Sequence, residues 1–267
     1  MVAVAEAAVA EEVVAEAVVE VAAAPADFPV GTNRQLRSCV TKDGKMTWDN
    51  MYRNHQRVWG DRPSALAAFA CHYLQGVKSS GSANEILDLG CGYGRDAIYL
   101  ARSTKCHVLG IDNSSEAIEM AGKALAADLE SRVRFQCCDF RQMPEGKFEI
   151  VFASNFYHLL KMEERQAFRN TIKKSLKPGG MLFLSTLSPS DPEHFGKGKP
   201  VENEDNSFHD QRFLHFCTRE ELETDFSFLT IKELSEHEYY EPRSNGEVHH
   251  HILWILLGVK QQGPISI

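Results

Sequence analysis

A glycine-rich segment near residue 90 carries the clearest chemical signal in the chain. It reads Asp88-Leu89-Gly90-Cys91-Gly92-Tyr93-Gly94-Arg95, with a glycine at every second position from 90 to 94. Glycine permits tight backbone angles and lets a ligand lie against the main chain without an intervening Cβ. A dinucleotide fingerprint would need its third glycine at position 95, where this chain has arginine. With Asp88 beside it, the segment favours a ligand that carries an ammonium group and no phosphate.

Further acidic residues follow the next two apolar segments. Asp112 directly follows the segment His107–Ile111, at a position where a carboxylate can accept hydrogen bonds from both ribose hydroxyls. Asp139 follows Val133–Cys137 and can accept a hydrogen bond from an adenine amine, while Phe140 lies against the ring. A single aspartate at a strand end is usually a turn or cap residue. Three of them, beside a glycine loop, predict a nucleoside-containing ligand.

Alternating strands and helices must position these residues. The predicted strands are continuous and apolar, and lie at Glu85–Leu89, His107–Ile111, Val133–Cys137, Phe148–Ala153 and Met181–Thr186. The predicted helices between them span Asp96–Arg102, Ser115–Leu129 and Met162–Leu176. This alternation indicates an α/β fold with a doubly wound parallel sheet that helices cover on both faces.

The end of the chain breaks the alternation. Two strands, Thr230–Tyr239 and His249–Val259, follow each other with no helix between them, and their connection contains Asn245-Gly246. Asn-Gly in a short connection is a hairpin signal, so the last strand is expected to be antiparallel to its neighbour. A parallel sheet that ends in an antiparallel hairpin distinguishes this fold from a dinucleotide dehydrogenase.

The composition divides the chain into three parts. Residues 1–27 are nearly all Ala, Val and Glu, which predicts a disordered low-complexity tail. Residues 28–80 are expected to form a helical segment that covers the active site, and residues 81–267 the core domain. The net charge of −8 argues against a nucleic-acid partner, because such proteins need a basic surface. An odd number of cysteines, seven, and the lack of an 18-residue apolar run predict a cytoplasmic protein without membrane contact.

These segments resemble the successive motifs of class I methyltransferases that depend on S-adenosylmethionine (SAM). The resemblance covers about residues 47–260 and rests on Asp88–Arg95, Asp112, Asp139-Phe140 and Leu176–Gly180. More narrowly, Val58–Pro63 and Gly92–Ala101 are similar to the tellurite-resistance and thiopurine type of small-molecule methyltransferase. The resemblance implies a Rossmann-like, seven-stranded, mostly parallel sheet, SAM as cofactor and a small-molecule methyl acceptor.

The resemblance also implies roles for individual residues. The glycine loop would line the methionine part of SAM with Asp88 near its ammonium, Asp112 would hold the ribose, and Asp139 with Phe140 the adenine. Ser154 and Asn155 would lie beneath the sulfonium, and Trp59 would close over the cofactor or belong to the core. The predicted cofactor-binding residues are thus Trp59, Asp88, Gly90, Cys91, Gly92, Gly94, Asp112, Asn113, Asp139, Phe140, Ser154 and Asn155.

The acceptor is harder to predict. Tyr157 and His158 follow the fourth strand and are the candidate catalytic residues, with Tyr52, His209 and His215 as weaker pocket candidates. A soft anion such as a thiolate, selenide or tellurite-type species needs no base, whereas an amine or hydroxyl does. The narrow resemblance favours a soft acceptor. An N- or O-methyltransferase, an aminopropyl transferase, a protein or RNA methyltransferase and a non-catalytic SAM-binding subunit remain alternatives.

Two other features invite an interpretation. His249-His250-His251 suggests a metal, but adjacent residues on a strand point to opposite faces, so no metal site is predicted. The polar segment Asp191–Phe208 contains Gly196-Lys197-Gly198-Lys199 and is either a lid that brings positive charge to the acceptor or a solvated loop.

Overall fold

The computed structural model describes residues 47–55, 57, 59–76, 84–143, 146–242 and 248–261. The predicted tail 1–27, all of residues 28–46 and Asn245-Gly246 lie outside the described residues. Ten strands are described: β1 Glu85–Leu89, β2 His107–Asp112, β3 Val133–Cys137, β4 Phe148–Ser154, β5 Leu176–Leu187, β6 Lys199–Pro200, β7 Ser207–His209, β8 Phe213–His215, β9 Leu229–Pro242 and β10 Val248–Lys260.

Seven of these strands form one central sheet. Its order is β3-β2-β1-β4-β5-β10-β9, with β1 to β5 parallel and β10 antiparallel to both of its neighbours. The predicted Rossmann-like, mostly parallel seven-stranded sheet with a C-terminal antiparallel hairpin is therefore confirmed. Because β10 runs antiparallel to β5, its first residues lie at the same edge as the carboxyl ends of the parallel strands.

Six α-helices are described, α1 Trp48–His55, α2 Ala65–Gly76, α3 Arg95–Ser103, α4 Ser115–Ala124, α5 Met162–Ser175 and α6 Arg219–Asp225. The predicted helix from Ser115 was expected to continue to Leu129, but α4 ends at Ala124 because Leu125 adopts an extended backbone. A short 3-10 turn over Ala127–Leu129 then inserts Leu129 into the core, fully buried.

The sheet separates two apolar layers, as the period-two alternation of strand side chains requires. Along β1, Ile86 belongs to the layer that contains Phe69 of α2, whereas Leu87 belongs to the layer that contains Phe168 of α5. All four residues are fully buried. Burial on both faces is the reason that these strands read as continuous apolar runs.

The N-terminal helices attach to the carboxyl edge of this sheet. Asp49 of α1 accepts hydrogen bonds from Ser114 Oγ at 2.6 Å and from the Glu116 N–H at 3.3 Å, at the start of α4. Ser64, before α2, donates its backbone N–H to Asp96 of α3 at 2.8 Å. The described part of residues 28–80 thus packs beside the loops that follow β1 and β2.

The polar segment after β5 is more ordered than expected. Within it, β6, β7 and β8 form a small antiparallel sheet, with β7 between the other two. Phe195, Phe208 and Phe216 pack edge to face beneath it, with centroids 5.3 to 5.9 Å apart. Strands of two or three residues carry too little periodicity to be recognised from sequence.

Candidate active site

The glycine loop connects β1 to α3, as predicted. Gly90, Gly92 and Gly94 have φ angles of 75°, 53° and 76°, a left-handed conformation that other residues adopt only with strain. The backbone N–H groups of Gly90 and Cys91 donate to the Ile111 carbonyl at 2.8 and 3.0 Å. The loop is therefore fastened to β2 and held close against the sheet edge.

Side chains crowd the positions that Cβ atoms would take on this loop. A Cβ on Gly90 would lie 2.5 Å from the Phe156 ring, and a Cβ on Gly92 would lie 2.8 Å from the Tyr52 hydroxyl. Tyr52 comes from α1 and Phe156 follows β4, so elements from two directions meet at the loop. Real Cβ contacts are essentially never this short, so a side chain at either position would require Phe156 or Tyr52 to shift.

Asp88 lies beneath the loop and is almost completely buried. Its Oδ2 atom has no hydrogen-bond partner among the described residues, and burial, with Asp96 and Asp112 nearby, raises its pKa well above the usual value. An approaching ammonium group would satisfy this oxygen and stabilise the ionised carboxylate. The site therefore fits the ammonium end of SAM. Burial likewise raises the pKa of the Cys91 thiol, so Cys91 stays neutral.

Asp112 stands at the end of β2 with its carboxylate fixed in place. Oδ2 accepts the Gly92 N–H and Oδ1 accepts the Ser114 N–H, both at 2.9 Å. Burial raises its pKa, while these backbone donors oppose the rise. Each oxygen retains a lone pair, so the predicted ribose contact is compatible with this geometry. Asn113 lies in the same turn and is exposed.

Asp139 and Phe140 differ in part from the expected adenine site. Hydrogen bonds from Arg141 lower the pKa of Asp139, since the guanidinium Nε lies 2.9 and 3.0 Å from its two oxygens. Phe140 is buried, and its ring meets those of Phe156 and Phe168 at centroid distances of 5.7 and 5.9 Å. The Phe140 ring thus packs in the core beneath the site. The sequence predicts instead that this ring lies against adenine.

The end of β4 faces the glycine loop. Asn155 has a φ of 53°, in the left-handed region, and its N–H donates to the Ser185 Oγ at 3.1 Å. Ser154 Oγ lies 3.4 Å from the same oxygen. Ser185 on β5, absent from the sequence-based set, therefore fixes both of the residues predicted to lie beneath the sulfonium.

Trp59 belongs to the rim of the site and is 43% exposed, so it is not core. Its backbone N–H donates to the Tyr93 hydroxyl at 3.1 Å, and its carbonyl accepts from Arg95 at 2.8 Å. The backbone is thus held at the start of α3 while the indole stays accessible to a ligand.

The two candidate catalytic residues have different surroundings. Tyr157 is fully buried, and its hydroxyl donates to Asp225 at 2.7 Å and accepts from Arg169 at 2.8 Å. Tyr157 therefore joins α5 to α6 and is not brought together with the other site residues. His158 is buried, and its Nδ1 lacks a hydrogen-bond partner among the described residues. Burial and the nearby Arg212 charge lower its pKa to about 3.

A buried aspartate–histidine pair, which the sequence analysis missed, lies at the same edge. His251 Nδ1 is 3.2 Å from Asp191 Oδ2, which also accepts the Ile252 N–H at 3.0 Å. Burial acts to raise the pKa of Asp191, but these hydrogen bonds outweigh it and lower the pKa below its usual value. The His194 ring lies 5.2 Å from that of His251, and burial lowers the His194 pKa to about 4.

The weaker pocket candidates separate. Tyr52 contacts the glycine loop, His209 is exposed, and His215 is buried with its nitrogens 2.8 Å from Ser207 Oγ and 2.8 Å from Glu221. His215, Cys217 and Glu221 form a cluster with metal-ligand chemistry. Both nitrogens of His215 already have hydrogen-bond partners, so this cluster ties β8 to α6.

A mostly parallel sheet of this order, with a glycine loop after β1 and a carboxylate at the end of β2, has the class I methyltransferase fold. Residues 86–180 match a family model described as a methyltransferase domain. A curated relative, 27-O-demethylrifamycin SV methyltransferase of Amycolatopsis mediterranei, is 30% identical over 146 residues, which are 51% of this chain and 53% of that protein. The chain thus spans about half the length of this relative.

Two solved structures share the fold. TehB from Haemophilus influenzae superimposes with a TM-score of 0.56 and 16% identity, covering 80% of this chain and 66% of that one. The 1,6-didemethyltoxoflavin-N1-methyltransferase of Burkholderia thailandensis was solved with 1,6-didemethyltoxoflavin and S-adenosylhomocysteine. It superimposes with a TM-score of 0.54 and 19% identity, covering 90% of this chain and 95% of that one. These matches agree with the predicted class, a SAM-dependent methyltransferase, and leave the thiopurine type without support. Within the described residues, no helix combines the length and apolar character needed to cross a membrane.

Proposed function

We propose that this chain is a SAM-dependent methyltransferase that methylates a small, soft nucleophile such as a thiol or a selenium or tellurium species. The observation that carries the cofactor assignment is the unsatisfied, buried Asp88 Oδ2 beneath a left-handed glycine loop. Gly90, Gly92 and Gly94 would hold the methionine part, Asp112 the ribose, Asp139 the adenine, and Ser154 with Asn155 the sulfonium side.

Bound SAM supplies an electrophilic methyl group, whose bond to sulfur breaks as the acceptor's lone pair forms the new bond to carbon and S-adenosylhomocysteine leaves. The chain's own residues align the partners and exclude water, which is where most of the rate acceleration of such a transfer arises. His158 stays neutral at every pH near neutrality, because its pKa is about 3. A thiolate acceptor needs no proton removed, so the proposal assigns His158 no base role.

A specific observation favours a second candidate, an N- or O-methyltransferase. The buried Asp191 fixes the His251 ring through Nδ1, the arrangement by which a carboxylate orients a histidine base. An amine or hydroxyl acceptor would need such a base. By their names, one of the similar proteins acts at oxygen and another at nitrogen, which agrees with this second candidate.

One assay separates these functions. Formation of S-adenosylhomocysteine is measured with three matched aromatic acceptors, benzenethiol, phenol and aniline, and with selenite and tellurite. We expect turnover with benzenethiol or a chalcogen species and little with phenol or aniline. Turnover confined to phenol or aniline would establish the second candidate. SAM binding with no turnover on any acceptor would indicate a non-catalytic SAM-binding protein.

Substitution of His251 by glutamine tests whether the second candidate's histidine base operates. Loss of a general base typically lowers a rate by 10²–10⁴-fold, and the loss shrinks as pH rises. If the acceptor ionises on its own, His251→Gln is expected to act mainly through packing and to leave the shape of the pH–rate profile unchanged.

A further inference from the structure

Arg212 occupies the tip of the hairpin formed by β7 and β8, where its carbonyl accepts the Asp210 N–H at 3.3 Å. Its guanidinium carbon lies 5.7 Å from the centroid of the Trp59 ring. The Arg212 charge is also close enough to lower the pKa of both His158 and His194. The Arg212 guanidinium therefore lies close to residues from three parts of the chain, namely Trp59 before α2, His158 after β4 and His194 after β5.

The charge of Arg212 has no acidic partner within the described ranges. Three other arginines show the usual arrangement, since Arg165 pairs with Glu204 at 2.6 Å, Arg169 with Asp225 at 2.9 Å and Arg95 with Asp96 at 3.0 Å. Arg212 is only partly exposed, and burial lowers its pKa. A desolvated charge is costly without a counter-ion, so Arg212 is well suited to bind an anionic ligand.

Asp191, a buried carboxylate at the same edge of the sheet, already has hydrogen-bond donors. Asp191 accepts from His251 and the Ile252 N–H on one oxygen, and from the Glu193 and His194 N–H groups on the other, at 2.8 to 3.2 Å. Both carboxylate oxygens of Asp191 are thus already bonded to donors other than Arg212. His158, whose Nδ1 has no hydrogen-bond partner where the chain is described, is neutral and can donate to an anion without adding repulsion of its own.

Tyr52 connects this charge to the cofactor site. Its hydroxyl lies 2.8 Å from the position of a Cβ on Gly92, and its ring packs edge to face on Tyr93. Tyr52 is also one of the two tyrosines, with Tyr239, that would stabilise the Arg212 charge if ionised. A group bound at Arg212 would therefore lie beside the glycine loop, where an acceptor must be.

We propose that the methyl acceptor binds as a small anion, with Arg212 holding its negative charge and His158 beside it. This inference rests on the function proposed above and adds the charge of the substrate. The charge would be either that of the nucleophile itself, a thiolate or chalcogen anion, or that of a carboxylate attached to it. In both cases the recognition chemistry is the guanidinium–anion contact, for which arginine is well suited.

The first experiment measures binding without turnover. Benzoate and its neutral isostere benzamide are titrated by calorimetry into the protein saturated with S-adenosylhomocysteine, for wild type, Arg212→Gln, Arg212→Lys and the control Arg134→Gln. Arg134 is an exposed residue of β3 at the far edge of the sheet. We expect wild type and the control to prefer benzoate, Arg212→Gln to lose about tenfold to a hundredfold of benzoate affinity, and Arg212→Lys to recover part of it.

The second experiment identifies the source of the charge. Rates are compared for benzenethiol and 4-mercaptobenzoate. If Arg212→Gln lowers the rate only with 4-mercaptobenzoate, Arg212 contacts the attached carboxylate. If it lowers the rate equally with both acceptors, Arg212 contacts the thiolate. Unchanged S-adenosylhomocysteine affinity and melting temperature would show that the variant is folded.

The outcomes of these experiments test the anion site and the methyl transfer separately. Equal binding of benzoate and benzamide, or benzoate binding that Arg212→Gln leaves intact, would overturn the anion site even if the protein methylates thiols. Selective benzoate binding lost in Arg212→Gln, in a protein that turns over no acceptor, would uphold the anion site and refute the proposed methyl transfer.

Discussion

Replacement of Gly92 by alanine tests the cofactor site through a contact that the structure measures. The new Cβ would lie 2.8 Å from the Tyr52 hydroxyl, about 0.6 Å short of the 3.4 Å at which ordinary contact begins. The φ of 53° adds a separate cost of about 1–2 kcal/mol for a residue with a Cβ. This backbone strain should lower the melting temperature by roughly 2–8 °C, at about 2–4 °C per kcal/mol. Displacement of Tyr52 into the site should weaken SAM binding about tenfold, or ~1.4 kcal/mol.

Two variants make this prediction specific. Gly122→Ala in α4 places a Cβ in open space at an ordinary helical angle, so it should preserve SAM affinity and slightly stabilise the protein. Tyr52→Phe removes the clashing oxygen, since the next ring atom lies 3.6 Å away. In the Gly92→Ala background it should restore SAM affinity but leave the backbone strain. Calorimetry and thermal melts measure both. Wild-type SAM affinity in Gly92→Ala would refute the assignment of the loop to the cofactor.

Four further predictions each concern a single residue. Asp112→Ala should weaken SAM binding by roughly 1–3 kcal/mol, because it leaves the Gly92 and Ser114 N–H groups and the ribose hydroxyls without their acceptor. Calorimetry measures this, and unchanged affinity would contradict the ribose assignment. Tyr157→Phe should lower the free energy of unfolding by about 1–3 kcal/mol in urea, with KM unchanged; a shifted KM would place Tyr157 in the site after all. His158→Ala should slow methyl transfer by less than about tenfold with no change in the pH–rate profile, whereas a hundredfold loss at neutral pH would make it a base. Since the folded pKa of His158, about 3, lies below its ordinary 6.5, protonation favours the unfolded chain, and wild type should lose stability between these pH values more steeply than His158→Asn in acid melts.

The conformation of the glycine loop and the place of Asp112 were predictable from sequence because their signals are local. Gly90, Gly92 and Gly94 encode a backbone that only glycine adopts freely, and Asp112 stands directly at a strand end. The order of apolar segments likewise predicted the parallel strands and the terminal hairpin. Each of these inferences needed no more than a few consecutive residues.

The acceptor half depends on contacts between distant parts of the chain. Asp191 and His251 are 60 positions apart and meet only because β10 runs antiparallel to β5. Arg212 was missed because it lies beyond the polar segment Asp191–Phe208, whose positive charge was assigned to Lys197 and Lys199, and both lysines are exposed. The role of Tyr157 could not be read either, since the direction of a side chain in a 3-10 turn is not fixed by the preceding strand.

The hydrogen bond between Asp49 and Ser114 has a consequence for how the protein is made. The two residues are 65 positions apart, so α1 leaves the ribosome long before the start of α4 does. Met51 and Tyr52, which are buried in the folded protein, pack with Tyr93 and Ala117, so their burial is incomplete during that interval. Domains fold largely as units once enough chain has emerged, and contacts of long sequence separation form slowly. Helix α1 should therefore be among the last to dock, and nascent chains stalled before residue 114 should expose it to proteases and chaperones.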